Sequence, residues 1–306
     1  MLSAVNEVAG ASTSDIADVA VVVDSSVGLT QDLAADAGYH VVPFQLVIEG
    51  RSLADGVEIS GEEFFGSLDT YEHLPQTSAP SPGAWLEVFA DLWDHGKSVL
   101  AITCASSMTA SHQSALIAAE DADAPTVVVD SRQASAGELL VASAGLRAVR
   151  AGAGLEKAAK VAEDVANRVT LLGTIMTFKF LKRSGRVNAL EAFAAGALGI
   201  NPVFVMHDGS ADSFAKTRGR EASLQKIVDT VHSEATAHDG DSLHVSAMHA
   251  ACRNEGEWLL DAVADLHPVE STLTEFTPVM GVHTGPGLCG LGWWWEPPEG
   301  LLGGDA

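Results

Sequence analysis

Positive charge and cysteine are both scarce in this chain of 306 residues. The chain has 17 Lys and Arg residues and 41 Asp and Glu residues, which gives a formal net charge of −24. A surface this acidic repels phosphate backbones and anionic lipid headgroups, so we expect no nucleic-acid partner and no peripheral membrane attachment. The three cysteines have no C-x-x-C or Cys/His metal spacing. We therefore expect neither a disulfide framework nor a metal site, and reduced thiols instead.

Segments that would export or anchor the chain are also missing from the sequence. The residues before Asp18 include acids but neither Lys nor Arg, unlike the basic start of a signal peptide. The longest apolar stretch, residues 189–206, is interrupted by Glu191, Asn201 and several Gly or Pro residues. We therefore expect a cytoplasmic protein without a membrane anchor.

Apolar runs alternate with helical patterns through the first half of the chain. Residues 18–24, 40–48, 97–103 and 125–130 are typical of buried strands, and capped amphipathic stretches lie between them. This order predicts an N-terminal α/β domain over residues 18–168, with a mostly parallel sheet and helices on both faces. Looser strand and helix patterns predict a second, C-terminal α/β domain over residues 169–295. Residues 1–17 and the tail 296–306 are predicted to be flexible.

The second half gives weaker structural signals. We expect strands near residues 201–206, 243–247 and 271–276, and helices near residues 221–235 and 255–266. The run Trp293-Trp294-Trp295 fits either a strand packed on the core, which we favour, or an exposed edge used for association.

Small polar residues follow the predicted strands, at the edge where open parallel sheets bind ligands. Asp24-Ser25-Ser26 ends one strand, and the hydroxyl groups of residues 106–111 follow another where a helix begins. A helix start presents unpaired N–H groups that favour an anion, so this cluster predicts a carboxylate or phosphate site. The alternative is ordinary helix capping by Ser106 alone.

Three further segments carry candidate site residues. Thr77 and Ser78 lie in a loop that leads into a helix, and on their own they indicate only a stiff, capped turn. Eight of the 17 basic residues fall between Lys179 and Lys226, which suggests either an anion or acidic-partner role or ordinary solvated helix ends. His283 opens a rigid loop of small residues, although a lone histidine is usually structural.

Enzyme signatures are weak. There is no Gly-x-Ser-x-Gly motif, no P-loop and no dinucleotide-binding glycine pattern. A hydrolase or acyl-transfer enzyme that uses Ser106 or Thr109 with His283 stays open as an alternative, as does an interaction protein with an empty cleft.

Taken in order, these segments resemble the DegV family of bacterial lipid-binding proteins. The resemblance rests on Asp24-Ser25-Ser26, Thr77-Ser78-Ala79-Pro80-Ser81-Pro82, the hydroxyl-rich residues 105–115, Val129-Asp130-Ser131, Leu181-Lys182-Arg183-Ser184-Gly185-Arg186-Val187, Lys216-Thr217-Arg218 and His283-Thr284-Gly285-Pro286-Gly287. Each motif is weak alone, but seven in the family order are specific. Thr109 and Ala110 stand where the family usually has Ser and Gly.

The resemblance implies two α/β domains with one long-chain fatty acid buried in a cleft between them. It implies that Thr77 and Thr109 bind the carboxylate, with Ser78, Ser106, Ala110 and His283 around it. Asp24, Ser25, Arg186 and Arg218 are expected to support this site. It further implies a carrier that is not itself an enzyme, that needs no cofactor, and that presents its fatty acid to a separate fatty-acid kinase.

Overall fold

The computed structural model describes residues 18–184 and 200–301, which form three sheets with helices packed around them. The strands are β1 Asp18–Asp24, β2 Tyr39–Val42, β3 Gln45–Ile48, β4 Arg51–Ala54, β5 Gln76–Ser78, β6 Lys97–Thr103, β7 Thr126–Asp130, β8 Thr170–Thr174, β9 Ile200–His207, β10 Ser210–Arg218, β11 Ser242–His249, β12 Glu270–Glu275 and β13 Cys289–Glu296. The helices are α1 Gln31–Ala37, α2 Gly61–Ser67, α3 Pro82–Asp94, α4 Ser111–Asp121, α5 Ala136–Arg150, α6 Leu155–Ala166, α7 Lys179–Arg183, α8 Arg220–Ala235, α9 Arg253–Asp261 and α10 Pro278–Thr284.

The first sheet is parallel throughout, in the order β2-β1-β6-β7. Side chains of a strand alternate between its two faces, and β1 shows this directly. Val21 and Val23 pack with α5 and α6, whereas Ala20 and Val22 pack with α3 and α4. Both faces are therefore covered by helices, which confirms the predicted architecture and explains why the strand is a continuous apolar run.

The six-stranded sheet has the order β10-β9-β8-β13-β11-β12, with only β11 and β12 parallel to each other. One face packs against α8 and α9 through residues such as Leu172 and Val203. The opposite face carries Leu171, Phe204 and Met206, which belong to a different apolar cluster. Neighbouring residues of β8 and β9 thus serve two separate layers, and the second layer forms one wall of the site described below.

The three tryptophans of β13 are core residues, as we favoured. Trp293 and Trp294 are each 1% exposed and Trp295 is 9% exposed. Trp293 faces the helices of the six-stranded sheet, whereas Trp294 packs in the cluster that contains α5. This part of β13 therefore joins the two halves of the molecule instead of offering an edge for association.

A small antiparallel sheet, in the order β4-β3-β5, was not predicted. Residues 40–48 were expected to form one strand, but β2 ends at Val42 and β3 begins at Gln45 in the other sheet. Pro43 lies between them and has no N–H to donate to a ladder, so the chain leaves one sheet there and enters the next. Strand β5 of this sheet carries Thr77, one of the predicted site residues.

Two helix predictions need correction near the candidate site. Helix α4 begins at Ser111 and not near Ser106, because the Ser106 backbone N–H donates to the Asp130 carboxylate in a preceding turn. His283 lies in the last turn of α10 and not in a loop. The Thr277-Pro278 start of that helix is a helix-start signal that the sequence analysis missed.

The two predicted domains share packing. Strands of the parallel sheet end by Asp130 and those of the six-stranded sheet begin at Thr170, but α5 contacts both sheets. The domain limits therefore stay a prediction. Residues 1–17, 185–199 and 302–306 lie outside the described residues. Within the described ranges, no helix combines the length and apolar character needed to cross a bilayer.

Candidate ligand-binding site

A cavity of about 1250 Å³, counting the space at its open mouth, lies between the two larger sheets. Its apolar wall comes from the six-stranded sheet and its neighbours and consists of Leu171, Ile175, Leu181, Phe204, Met206, Ala211, Met248, Phe276, Val279, Met280 and Leu288. The described lining residues include no Asp, Glu, Lys or Arg. The cavity therefore suits a long apolar molecule.

Thr77 and His283 form one polar group in the lining. Thr77 Oγ1 and His283 Nε2 lie 3.0 Å apart, in a hydrogen bond whose donor depends on the imidazole tautomer. The two residues are 206 positions apart in the sequence and come from β5 and α10. The fold thus brings together two residues that the family resemblance had grouped.

The start of α4 forms a second polar region of the lining. Thr109 and Ala110 both line the cavity, and Ala110 occupies the N-cap position without a side-chain cap. The Thr109 hydroxyl oxygen accepts from the Ser111 backbone N–H at 3.3 Å, so its own hydrogen is not used in that bond. An uncapped helix start presents N–H groups and positive partial charge. This region can therefore accommodate a carboxylate.

Asp24 lies behind this region and fixes it in place. Its fully buried carboxylate accepts from the Ser26 N–H and hydroxyl, from the Cys104 N–H at 3.0 Å, and from the Ser111 hydroxyl at 2.6 Å. These donors come from the ends of β1 and β6 and from the start of α4. Burial raises the pKa of Asp24, against the effect of these hydrogen bonds. Asp24 thus holds the start of α4 against the ends of β1 and β6; its supporting role for a ligand stays a prediction.

Ser26 connects Asp24 to a second buried acid, Glu138 on α5, which the sequence analysis missed. Ser26 Oγ lies 2.6 Å from Asp24 Oδ1 and 2.5 Å from Glu138 Oε2. One hydroxyl has only one hydrogen, so one of the two carboxyl groups must itself donate. Burial raises the pKa of Glu138 well above its ordinary value, and the charge of Asp24 adds to this. Glu138 is therefore the protonated donor and Asp24 the acceptor.

Ser25 supports the other polar group through Asp55. The Ser25 hydroxyl donates to Asp55 at 2.6 Å and accepts from the Phe44 N–H. The second oxygen of Asp55 accepts from the Val279 N–H at 3.0 Å, in the first turn of α10. This clamp ties the small sheet that carries Thr77 to the helix that carries His283.

The structure does not bring every predicted site residue to the cavity. Ser78 is exposed because its side chain points away from that of Thr77, its neighbour on β5. Ser106 is exposed in the turn before α4, and Arg218 is exposed at the end of β10. Ser78, Ser106 and Arg218 are all absent from the described residues that line the cavity. Arg186 lies outside the described residues.

Apolar lining residues were the main omission of the sequence analysis. Phe44 follows the break at Pro43, and Phe204 and Met206 alternate with core residues along β9. The alternation in β9 is a usable signal, but it does not tell which face meets a ligand and which meets helices.

Comparison with known proteins decides the family. The model of the DegV family matches residues 18–296. The chain belongs to the DegV family. A DegV domain-containing protein of Caldanaerobacter subterraneus is 30% identical over 280 residues, covering 89% of this chain and 97% of its own length. A second one, from Deinococcus radiodurans, is 28% identical over 274 residues, with coverages of 89% and 97%.

Solved DegV structures share the whole architecture. A DegV family protein from Thermus thermophilus, described as binding fatty acid, has a TM-score of 0.84 and 25% identity, covering 91% of this chain and 99% of its own. A stearic acid-binding protein from Eubacterium ventriosum has a TM-score of 0.79 and 25% identity, with coverages of 90% and 97%. These relatives are described as binding proteins and not as enzymes, in agreement with our prediction of a binding protein.

The Asp24 network in this DegV protein makes a prediction about stability. Asp24→Asn should lower the free energy of unfolding by at least about 2 kcal/mol, because each Asp24 oxygen accepts from a backbone N–H and an amide NH₂ must face one of them. Glu138→Gln should cost less than about 1 kcal/mol, since its amide can replace the proton that Glu138 donates to Ser26. Urea denaturation at pH 7 measures both, and equal losses would contradict the assigned protonation.

The Asp55 clamp makes a prediction about pH. Burial raises the pKa of Asp55 to about 6, against hydrogen bonds from Ser25 and Val279. As the pH falls, Asp55 therefore binds its proton at a higher pH in the folded state than in the unfolded state. This difference stabilises the folded state by about 3 kcal/mol below about pH 4, and the stabilisation is lost as the pH rises through 6. Asp24 and Glu138 act in the same direction, so the readout is the difference between the unfolding free energies of wild type and Asp55→Asn. Parallel pH profiles would refute the assignment.

Proposed function

We propose that this protein binds one long-chain fatty acid in the cavity, with its tail along the apolar wall and its carboxylate held by Thr77, Thr109 and His283. The observation that carries the proposal is the cavity itself, which is apolar apart from hydroxyl groups, an imidazole and an uncapped helix start. The fatty-acid ligands of the solved relatives support the same reading.

The apolar wall supplies most of the affinity in this proposal. Burying a 16-carbon tail contributes on the order of 10 kcal/mol before entropy and imperfect burial are subtracted, at about 0.8 kcal/mol per CH₂. The polar groups then orient the acid and select a carboxylate. Ala110 contributes its backbone at the helix start, because its side chain offers no donor.

Replacing both threonine hydroxyls should weaken binding. Thr77→Val combined with Thr109→Val keeps the side-chain shape but removes two donors, and each loss should cost about 1–3 kcal/mol in binding. Native mass spectrometry of protein purified under mild conditions should show one bound fatty acid in the wild type, and titration with palmitate or oleate should give a weaker dissociation constant for the variant.

The matched control is Ser78→Ala with Ser106→Ala, which removes two exposed hydroxyls that lie outside the cavity lining. Its dissociation constant should equal that of wild type. Absence of lipid from the purified wild type, together with no binding of added fatty acid, would refute the proposed function. Unchanged binding in the threonine variant, with its fold verified by circular dichroism, would remove these two residues from the site.

The enzymatic alternative gains no support from the geometry. His283 is hydrogen-bonded to Thr77, whereas the Thr109 hydroxyl accepts from the backbone of α4. Ser106 is exposed and does not line the cavity. Ser106 therefore lies outside the cavity that the His283 imidazole lines.

The proposal includes a cytoplasmic location and presentation of the bound acid to a fatty-acid kinase, which forms the acyl-phosphate while the acid stays on this protein. Helix α7 supports the second part, because its Leu181 lines the cavity while Lys182 and Arg183 are exposed. These two cations therefore stand beside the proposed ligand, where an acidic partner surface could dock.

Charge reversal tests the kinase surface. Lys182→Glu with Arg183→Glu should lower acyl-phosphate formation by the cognate kinase at least about tenfold at low salt, without changing fatty-acid affinity. Lys160→Glu, an exposed position on α6, is the matched control. Normal phosphorylation of the α7 variant would show that α7 does not dock the kinase.

A further inference from the structure

Two of the three cysteines approach each other directly behind the cavity wall. Cys252 occupies the N-cap position of α9, and Cys289 begins β13. The two sulfur atoms and a carboxylate oxygen of Glu255 all lie within 4.8 Å of one another. The Cys252 thiol donates to the Leu288 carbonyl at 3.2 Å, and the Leu288 side chain lines the cavity.

The two thiols differ in exposure and in electrostatic environment. Cys252 is partly exposed, whereas Cys289 is fully buried. A hydrogen bond from the Cys289 thiol lowers the pKa of Cys252 against the opposing effects of burial and the Glu255 charge, and the charge of Arg220 acts in the lowering direction. Arg220 Nη2 lies 3.9 Å from Cys252 Sγ. The same coupling and burial raise the pKa of Cys289. The accessible sulfur is therefore the better nucleophile, and the buried one keeps its proton.

A metal ion fits this cluster poorly. The Glu255 carboxylate is already held by Arg220 through Nε and Nη2. A divalent cation would have to displace that guanidinium or bind beside its positive charge. Glu255 is therefore not free to complete a metal site with the two sulfur atoms.

We propose that Cys252 and Cys289 are an oxidation site that reacts with hydroperoxides and closes to a disulfide. The Cys252 thiolate attacks the peroxide, an S–O bond forms as the O–O bond breaks, and hydroxide or alkoxide leaves. The Cys289 thiol then attacks the sulfenic sulfur, the S–S bond forms, and the Cys289 proton leaves with the hydroxyl group as water. Peroxide is reduced and the two thiols are oxidised, which balances the step.

The backbone around Cys252 provides the movement that closure needs. Sulfur atoms in a disulfide are about 2.05 Å apart, so they must approach from their separation in the structure. Cys289 is held in β13 by pairing with His249 and Thr174. Cys252 lies outside any strand and follows Ala251, whose φ of 53° is unfavourable for a residue other than glycine. Cys252 therefore moves toward Cys289.

Cys104 is an internal control. It is buried, and burial raises the pKa of its thiol well above the ordinary value, with the charge of Asp24 adding to the effect. It should stay reduced under conditions that oxidise Cys252.

The experiment treats the reduced full-length protein with a small excess of hydrogen peroxide at pH 7. The intact mass should fall by two hydrogen atoms, and peptide mapping should find Cys252 joined to Cys289 with Cys104 free. Cys104→Ser should behave in the same way. Cys289→Ser should instead leave a Cys252 sulfenic acid that a cyclic 1,3-dione labels.

Arg220→Gln separates electrostatic activation from packing. The pH midpoint of Cys252 alkylation should move upward, and oxidation at pH 7 should slow at least about threefold, since less thiolate is present. Unchanged Cys252–Cys289 disulfide yield at equilibrium would show that the fold is intact. The proposal is overturned if no such disulfide forms, if Cys104 oxidises as fast as Cys252, or if the reduced protein binds one zinc ion that Cys252→Ser loses.

Discussion

The buried carboxylate of Asp24 determines where the polar groups of the cavity lie. Four donors converge on it from the ends of two parallel strands and from the start of α4. An acid this deep in the protein is costly to bury, and only complete hydrogen bonding makes it tolerable. Because its partners include Ser111, the position of Thr109 and the helix start follows from satisfying this single charge.

The two residues after Asp24 extend this control to the rest of the site. Ser25 donates a hydrogen bond to Asp55, and Asp55 accepts one from the start of α10, the helix that carries His283. Ser26 meets the protonated Glu138 on α5, the helix that packs against both large sheets. Three consecutive residues at one strand end thus position elements from both halves of the chain. The Asp-Ser-Ser motif holds the polar groups of the cavity in place through hydrogen bonds, and Ser26 also lines the cavity.

The sequence predicted the parallel sheet well because a doubly covered strand must be apolar on both faces, and β1, β6 and β7 are continuous apolar runs. The sequence predicted structure less well where the interacting residues are far apart along the chain. The small sheet depends on pairing of β3 with β4 and β5, which local patterns do not encode, and a single proline redirects the chain into it. Thr77 and His283 were grouped only through the family resemblance, since no local pattern joins residues so far apart. Glu138 was missed because a lone acid in an Ala-rich helix is ordinarily solvated, and only tertiary packing buries it.

A carboxylate ligand inside a chain of net charge −24 depends on local donors, because bulk charge is screened by solvent while a partly buried group responds to its immediate neighbours. The described lining supplies neutral donors and no Lys or Arg. On the proposed function, an apolar wall for the tail and neutral donors for the carboxylate suit a carrier. Burial of the tail supplies affinity whatever the chemistry of the head group. An ion pair with Lys or Arg would instead stabilise the carboxylate and oppose its reaction. Neutral hydroxyls and amides orient the acid without neutralising it, so its oxygen stays nucleophilic for a partner enzyme.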